Sequence, residues 1–172
     1  MLRGINLGSH NRIAMPALQA ALEKMGLGEV KIYLQSGNAV FQSDKTALEL
    51  SADIETMIKT EFGFDVPTVV RTSKEIRNTL AYNPYLKDSE IDPINLYVTF
   101  LQEKPSAELV TTVAAGFGGA DTWTLDGKTI YLHTPGGYGK TKLTNNLFER
   151  KFKTTATTRN WKTVTSLENL SQ

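Results

Sequence analysis

A glycine-rich segment late in the chain has the residue types and spacing that most strongly indicate a binding function. Thr134-Pro-Gly-Gly-Tyr-Gly-Lys-Thr141 nearly matches the phosphate-binding pattern G-x-x-x-x-G-K-[ST]. Backbone N–H groups of such a loop at a helix start, together with Lys140 and Lys142, can hold a phosphate or sulfate. We expect Arg159 and Asn160, which end the predicted closing strand, at the same sheet edge. The sequence therefore predicts an anion site that contains these four residues.

This segment also departs from a nucleotide-hydrolysing loop. Thr134 stands where the pattern requires its first glycine, and neither a parallel-sheet pattern nor a second, metal-binding acidic strand accompanies it. These differences argue against nucleotide hydrolysis and leave the simpler prediction of an anion-binding loop. A mobile surface loop without a ligand is the alternative interpretation.

A second polar cluster is predicted in the first half of the chain. In a four-stranded split βαβ sheet, the ends of the first and second strands and the start of the third share one edge. This topology brings together four amide side chains and one hydroxyl, which can orient a polar ligand. The alternative is that these residues cap turns and bond loop backbone. The residues are Asn6, Asn11, Gln35, Ser36 and Asn38.

Other kinds of catalytic or binding site find little support. The chain has no cysteine, and its two histidines, His10 and His133, fall in different halves. No histidines or carboxylates have metal-ligand spacing, and no G-x-S-x-G elbow occurs. Residues 36–43 lack the basic-glycine-aromatic octamer of RNA-binding sheets. The sequence thus predicts no metal and no cofactor, and it leaves open whether the protein is an enzyme.

Composition indicates an ordinary globular protein of 172 residues, 40% hydrophobic and 22% charged. No apolar run approaches the roughly 18 residues of a membrane span, and no signal peptide opens the chain, which predicts a cytoplasmic protein without a membrane partner. The net charge is +1, but residues 140–172 hold 7 basic and 2 acidic residues. That asymmetry points either to an anionic partner, including nucleic acid, or to a solvated basic helix face.

Two hairpins position the predicted sites. Residues 31–42 place Ser36-Gly37-Asn38 between two runs of β-formers, and residues 121–132 repeat the pattern around Gly127, 90 positions later. At that offset Tyr33 aligns with Trp123. The matching positions predict an internal duplication.

The order of predicted elements is strand, helix, hairpin, helix, strand in each half, which is the ferredoxin-like order. We therefore predict an α+β fold of two tandem ferredoxin-like (βαββαβ) repeats plus a C-terminal helix. The first repeat covers residues 1–72, a connecting helix and loop cover 73–93, and the second repeat with the terminal helix covers 94–172. The predicted strands outside the hairpins are 1–5, 66–72, 95–101 and 155–160, and the predicted helices begin near residues 16, 46, 73, 105, 142 and 161.

Four separated motifs resemble those of the bacterial domain-of-unknown-function 1697 family. They are Leu2-Arg-Gly-Ile-Asn6, Gln35-Ser-Gly-Asn38, Asn83-Pro84 and Thr157-Thr-Arg-Asn-Trp161. The resemblance spans nearly the whole chain and implies a cytoplasmic α+β protein built on ferredoxin-like repeats, without supplying a reaction or a ligand. The family's first strand usually runs several residues further upstream, so we expect a few native residues ahead of Met1.

Three functions are compatible with these features. The first is binding of, or chemistry on, a phosphate-bearing small molecule at the glycine-rich loop and the amide cluster. The second is nucleic-acid binding through the basic last third, which the near-neutral total charge disfavours. The third is a structural or interaction protein, either a monomer or a homodimer formed through exposed sheet edges. We rank the first ahead of the others.

Overall fold

The structure is a computed structural model that describes residues 1–8, 10–114 and 119–172. The described chain forms six helices and six strands, with short 3-10 turns at Pro84–Lys87, Pro93–Asn95 and Tyr138–Lys140. The helices are α1 (Met15–Lys24), α2 (Ala47–Phe62), α3 (Ser73–Ala81), α4 (Ala107–Ala114), α5 (Asn145–Phe152) and α6 (Trp161–Leu170). The strands are β1 (Gly28–Tyr33), β2 (Asn38–Gln42), β3 (Leu96–Leu101), β4 (Thr122–Asp126), β5 (Thr129–His133) and β6 (Ala156–Asn160).

The chain divides into two compact units. Unit 1 comprises residues 1–73 together with 167–172, and unit 2 comprises residues 74–166. The last four residues of α6 therefore group with unit 1, whereas its first six group with unit 2. Each unit has its own sheet.

Unit 1 packs α1, α2 and the β1–β2 hairpin around one apolar core. α2 begins at a capping box, in which the Thr46 hydroxyl accepts from the Glu49 backbone N–H and the Glu49 carboxylate accepts from the Thr46 N–H. The hydrogen bonds from Thr46 hold the pKa of Glu49 below its usual range. Gly63 ends the helix in a left-handed conformation, φ +76°. The core includes Leu18, Leu22, Val30, Leu50, Ile54 and Ile58.

The first and last strands predicted for this half are not regular strands. Residues 1–5 and 66–72 meet only at an isolated antiparallel bridge, Leu2 to Thr68, with backbone hydrogen bonds on either side of it. Two local causes break the ladder. Gly4 and Asn6 have φ values of +72° and +52°, outside the extended region, and Pro67 has no N–H to donate. The regular sheet of unit 1 is the two-stranded β1–β2 pair.

Unit 2 contains a four-stranded antiparallel sheet in the order β4-β5-β3-β6. The central strand β3 pairs Tyr97 with Leu132 on one side and with Asn160 on the other. Because strand side chains alternate between faces, Tyr97 shares a face with Leu101 and α5 covers that face. The core there also includes Ile130, Leu132, Leu143, Phe148 and Phe152.

Two helices of unit 2 differ from their predicted bounds. The sequence predicts a helix over residues 105–117; α4 runs from Ala107 to Ala114, and the predicted end lies outside the described residues. α5 begins at Asn145 rather than near Lys142. The Thr144 hydroxyl accepts from the Leu147 N–H and so caps the helix at that point.

The structure confirms an α+β protein with two small sheets. It does not confirm the predicted tandem ferredoxin-like repeat, because only unit 2 has a complete four-stranded sheet among the described residues. No helix in the described part of the chain is both long enough and apolar enough to span a bilayer.

Candidate functional site

The predicted amide cluster of unit 1 is centred on Asn6. Its Nδ2 donates to the Gln35 carbonyl at 2.9 Å and to the Ile13 carbonyl at 3.1 Å, and its Oδ1 accepts from the Ile13 N–H at 2.9 Å. The structure thus brings Asn6 beside Gln35, at the sheet edge where the topology predicts both. The amide joins the loop that follows residue 5 to the hairpin turn, and backbone groups occupy both its donor and its acceptor.

Asn11 and Asn38 also bond backbone groups. The Asn11 Nδ2 donates to the Gly4 carbonyl at 3.2 Å. Asn38 is fully buried, and its Nδ2 donates to the Tyr33 carbonyl and the Ser36 hydroxyl, both at 3.0 Å. This geometry matches the turn-capping interpretation of the cluster.

The remaining two members of the cluster, Gln35 and Ser36, are exposed at the hairpin turn. Gly37 fixes the position of that turn. It adopts a φ of +73°, and a Cβ there would lie 2.5 Å from the Ile5 Cδ1 and 2.9 Å from the Leu2 Cβ. The turn therefore packs directly on the first residues of the chain. A role for Gln35 and Ser36 in ligand binding stays a prediction.

The glycine-rich loop of unit 2 begins where β5 ends. The Thr134 N–H donates to the Asn95 carbonyl at 2.9 Å, and its own carbonyl accepts from the Gly137 N–H at 2.8 Å. Lys140 lies in a 3-10 turn and α5 starts five residues later, at Asn145. In a phosphate-binding loop of the G-x-x-x-x-G-K-[ST] type the lysine opens the helix, so this loop has a different geometry.

The backbone of the glycines faces open space. A Cβ at Gly137 or Gly139 would meet no heavy atom within 4 Å, and one at Gly136 would meet only the Lys140 Cδ, at 4.0 Å. Gly137 also has a φ of +81°, which favours glycine. A ligand can therefore approach the main chain of this loop closely.

Two hydroxyl groups in the loop are buried without a hydrogen-bond partner among the described residues. They are the Thr134 Oγ1 and the Tyr138 OH, and Thr134 itself is 0% exposed. The Tyr138 ring packs on Tyr97, with ring centroids 5.1 Å apart. An unpaired buried hydroxyl costs about 1–3 kcal/mol. The loop as seen here therefore holds two unfavourable polar groups.

The four residues predicted as an anion site fall into two groups: Lys140 and Lys142 lie in the loop, whereas Arg159 and Asn160 lie at the end of β6. Lys140 and Lys142 are exposed, and neither forms an ion pair with a described residue. Asn160 ends β6 opposite Tyr97, roughly 10 Å from β5 because β3 lies between them. Its Oδ1 accepts from the Thr163 N–H at 2.8 Å and so caps α6.

Arg159 departs from the prediction. It lies at the expected sheet edge, but its pairing with Val98 places its side chain on the face opposite to Tyr97 and Tyr138. Arg159 as a whole is 9% exposed, and its Nη1 donates to the Thr157 Oγ1 at 2.7 Å and to the Thr158 carbonyl at 2.8 Å. The sheet thus separates Arg159 from the glycine-rich loop.

Sequence reasoning missed three members of this region. In the comparison with the phosphate-binding pattern, Thr134 stands out only because it replaces a glycine, and Tyr138 occupies a position at which any residue is allowed. Asp121 carries a carboxylate that accepts from the Thr141 hydroxyl at 2.6 Å, and Thr141 in turn accepts from the Leu143 N–H. The position of Tyr138 between two glycines was the available signal for its role, because a large aromatic there can fold back onto the sheet.

Shifted pKa values and clusters of metal-binding side chains give little further evidence about the site. Within the described residues no group of three histidine, aspartate or glutamate side chains is close enough to hold a metal ion. Burial, followed by the charge of Asp126, raises the pKa of Tyr131 to about 12. Tyr131 pairs with Val98 and Thr124 and lies outside the glycine-rich loop.

Two units that each combine helices with a small antiparallel sheet define an α+β protein whose candidate site is a glycine-rich loop. The chain belongs to the family described as protein of unknown function (DUF1697), whose family model matches residues 1–131. Its structure is similar to that of the conserved bacterial protein SP0830 from Streptococcus pneumoniae. The similarity has a TM-score of 0.77 at 22% identity and covers 100% of this chain and 96% of that chain. No curated protein matches the sequence.

Proposed function

We propose that the glycine-rich loop of unit 2, residues 134–142, binds a phosphate-bearing small molecule. The observation that carries the proposal is the pair of buried, unpartnered hydroxyls at Thr134 and Tyr138, in a loop whose glycines face open space. A phosphate offers oxygen acceptors for both hydroxyls and for the loop N–H groups.

The charges of the loop suit a small anion. Lys140 and Lys142 supply two exposed ammonium groups, and Asp121, which accepts from the Thr141 hydroxyl, supplies one carboxylate. The local balance is therefore positive but modest. Such a balance fits one or two phosphate groups better than a long polyanion.

Ligand binding requires the two hydroxyls to become accessible. The stem of Lys140 lies over Gly136, and the three glycines leave the loop free of side-chain obstruction. A small displacement of the loop would turn the Thr134 and Tyr138 hydroxyls towards a ligand, and their new hydrogen bonds would offset part of its cost. The Asn160 Nδ2 is a further donor at the same sheet edge. Arg159 is not part of the proposed contact set.

Thermal shift and calorimetric titration with inorganic phosphate, pyrophosphate and ATP test the proposal, with sodium chloride at equal ionic strength as the control. We expect saturable stabilisation by at least one of these probes. A ligand at 100 times its Kd stabilises the folded protein by about 2.7 kcal/mol. The Lys140→Ala/Lys142→Ala variant should lose the response.

A matched variant separates the site from a general charge effect. Lys87→Ala/Lys104→Ala removes the same charge from exposed positions elsewhere in unit 2 and should respond like the parent protein. Equal responses of the two double variants, or no saturable response to any probe, would overturn the proposal.

We also propose that residues 1–72 and residues 94–172 derive from one ferredoxin-like repeat. In unit 1 the Leu2 N–H donates to the Gly37 carbonyl at 2.8 Å, and Leu2 bridges to Thr68. The neighbour order is therefore β1, β2, residues 1–5, residues 66–70. This order corresponds to β4-β5-β3-β6 in unit 2, which supports a common plan.

A further inference from the structure

Strand β4 is an edge strand of the unit 2 sheet. Within the described residues its backbone hydrogen-bonds only to β5. The exposed edge of a strand carries N–H and C=O groups that can pair with another strand.

The hairpin turn fixes which groups point outwards. β4 and β5 are joined by the two residues Gly127 and Lys128, so Asp126 and Thr129 flank the turn as a hydrogen-bonded pair. Hydrogen-bonded pairs alternate along an antiparallel ladder. The N–H and C=O groups of Trp123 and Leu125 therefore point away from β5, towards the free edge.

We propose that β4 pairs with β4 of a second copy of this chain, antiparallel, across a two-fold axis at Thr124. This register places Trp123 opposite Leu125 of the second copy. The two-fold symmetry also places Leu125 opposite Trp123 of the second copy. The residues whose backbone groups point outwards are thus the ones that face each other. About four backbone hydrogen bonds result, joining the two sheets into one.

The side chains are self-complementary in the same register. Trp123 and Leu125 are partly exposed on the core-bearing face, and each would cover the other across the axis. On the opposite face Thr124, whose hydroxyl lies 3.4 Å from the Tyr85 OH, meets Thr124 of the second copy. Thr122 meets Asp126, whose carboxylate can accept from the threonine hydroxyl. Cross-strand pairs of these types stabilise a sheet, and no like charges oppose each other.

The edge also lacks the usual protection against such pairing. β4 contains no proline, no lysine and no register shift against β5. It is only five residues long, so we expect a weak dimer, in the micromolar range or weaker. The proposal does not depend on the anion site.

Sedimentation equilibrium of the full chain over a wide concentration range tests the proposal. The parent protein should show a reversible monomer–dimer equilibrium. Thr124→Lys places two ammonium groups opposite each other on the axis and should weaken the dimer by at least about tenfold.

Thr122→Lys is the matched control, because the same charge then faces Asp126 of the second copy. It should dimerise as well as the parent protein or better. A parent protein that stays monomeric at millimolar concentration would overturn the proposal, as would equal weakening by both substitutions. Assembly that grows beyond a dimer would also overturn it, since a two-fold contact closes on itself.

Discussion

Removal of the Tyr138 hydroxyl should stabilise the ligand-free protein. In Tyr138→Phe the ring contact with Tyr97, 5.1 Å between centroids, is retained, while a buried oxygen without a partner is lost. An unsatisfied buried hydroxyl costs about 1–3 kcal/mol, so the free energy of unfolding should rise by about 1 kcal/mol or more. For a chain of this length each kcal/mol corresponds to about 2–4 °C in Tm.

Urea unfolding and differential scanning calorimetry of the full chain report this change directly. Tyr82→Phe serves as the control, because Tyr82 is 69% exposed and its hydroxyl is solvated; it should change stability by less than about 0.5 kcal/mol. Thr134→Val removes the second unpaired hydroxyl at similar volume and should also stabilise. If Tyr138→Phe leaves stability unchanged or lowers it, the hydroxyl has a partner in solution and the reasoning behind the anion site fails. If the prediction holds, the same variant should bind phosphate probes more weakly.

Two further predictions concern other parts of the chain. Gly37→Ala should cost at least about 2 kcal/mol in urea unfolding, because a residue at positive φ loses about 1–2 kcal/mol and the new Cβ would lie 2.5 Å from the Ile5 Cδ1. Gly127→Ala, at φ +57° with no atom within 4 Å, should cost only the conformational part, and equal losses would contradict the packing argument. The pKa of the Tyr131 hydroxyl is about 12 in the folded protein, whereas in the unfolded chain the hydroxyl ionises near pH 10. Stability should therefore fall by up to about 3 kcal/mol between pH 10 and 12, and Tyr131→Phe should reduce that fall.

The sequence predicts elements well where local signals agree. The residues between Thr46 and Gly63 combine a capping box, helical spacing of apolar residues and a glycine stop, and α2 follows those signals closely. The prediction of regular strands at residues 1–5 and 66–72 is not confirmed, because the pairing of these segments is not local. Apolar β-formers predict extended chain there, but the left-handed residues near Gly4 and the missing N–H of Pro67 limit the ladder to a bridge.

The candidate site was predictable in position but not in detail. Glycine spacing identifies the loop, and strand order places Arg159 and Asn160 at its edge. Which face each side chain takes depends on strand register, and a shift by one residue reverses it. The pairing of Val98 with Arg159 determines the face of the sheet on which the Arg159 side chain lies, and this pairing cannot be derived from the sequence. The burial of Tyr138 likewise depends on its contact with Tyr97, which lies far away along the chain.

The division of α6 between the two units has a consequence for biosynthesis. Residues 167–172 group with residues 1–73, and the Lys31 Nζ donates to the Leu170 carbonyl at 3.4 Å. A ribosome delivers a chain from its amino end, and an amino-terminal domain normally folds first. Here the segment that completes unit 1, residues 167–172, is translated after all of unit 2. Unit 2, which is continuous in sequence, is therefore complete before the unit that precedes it.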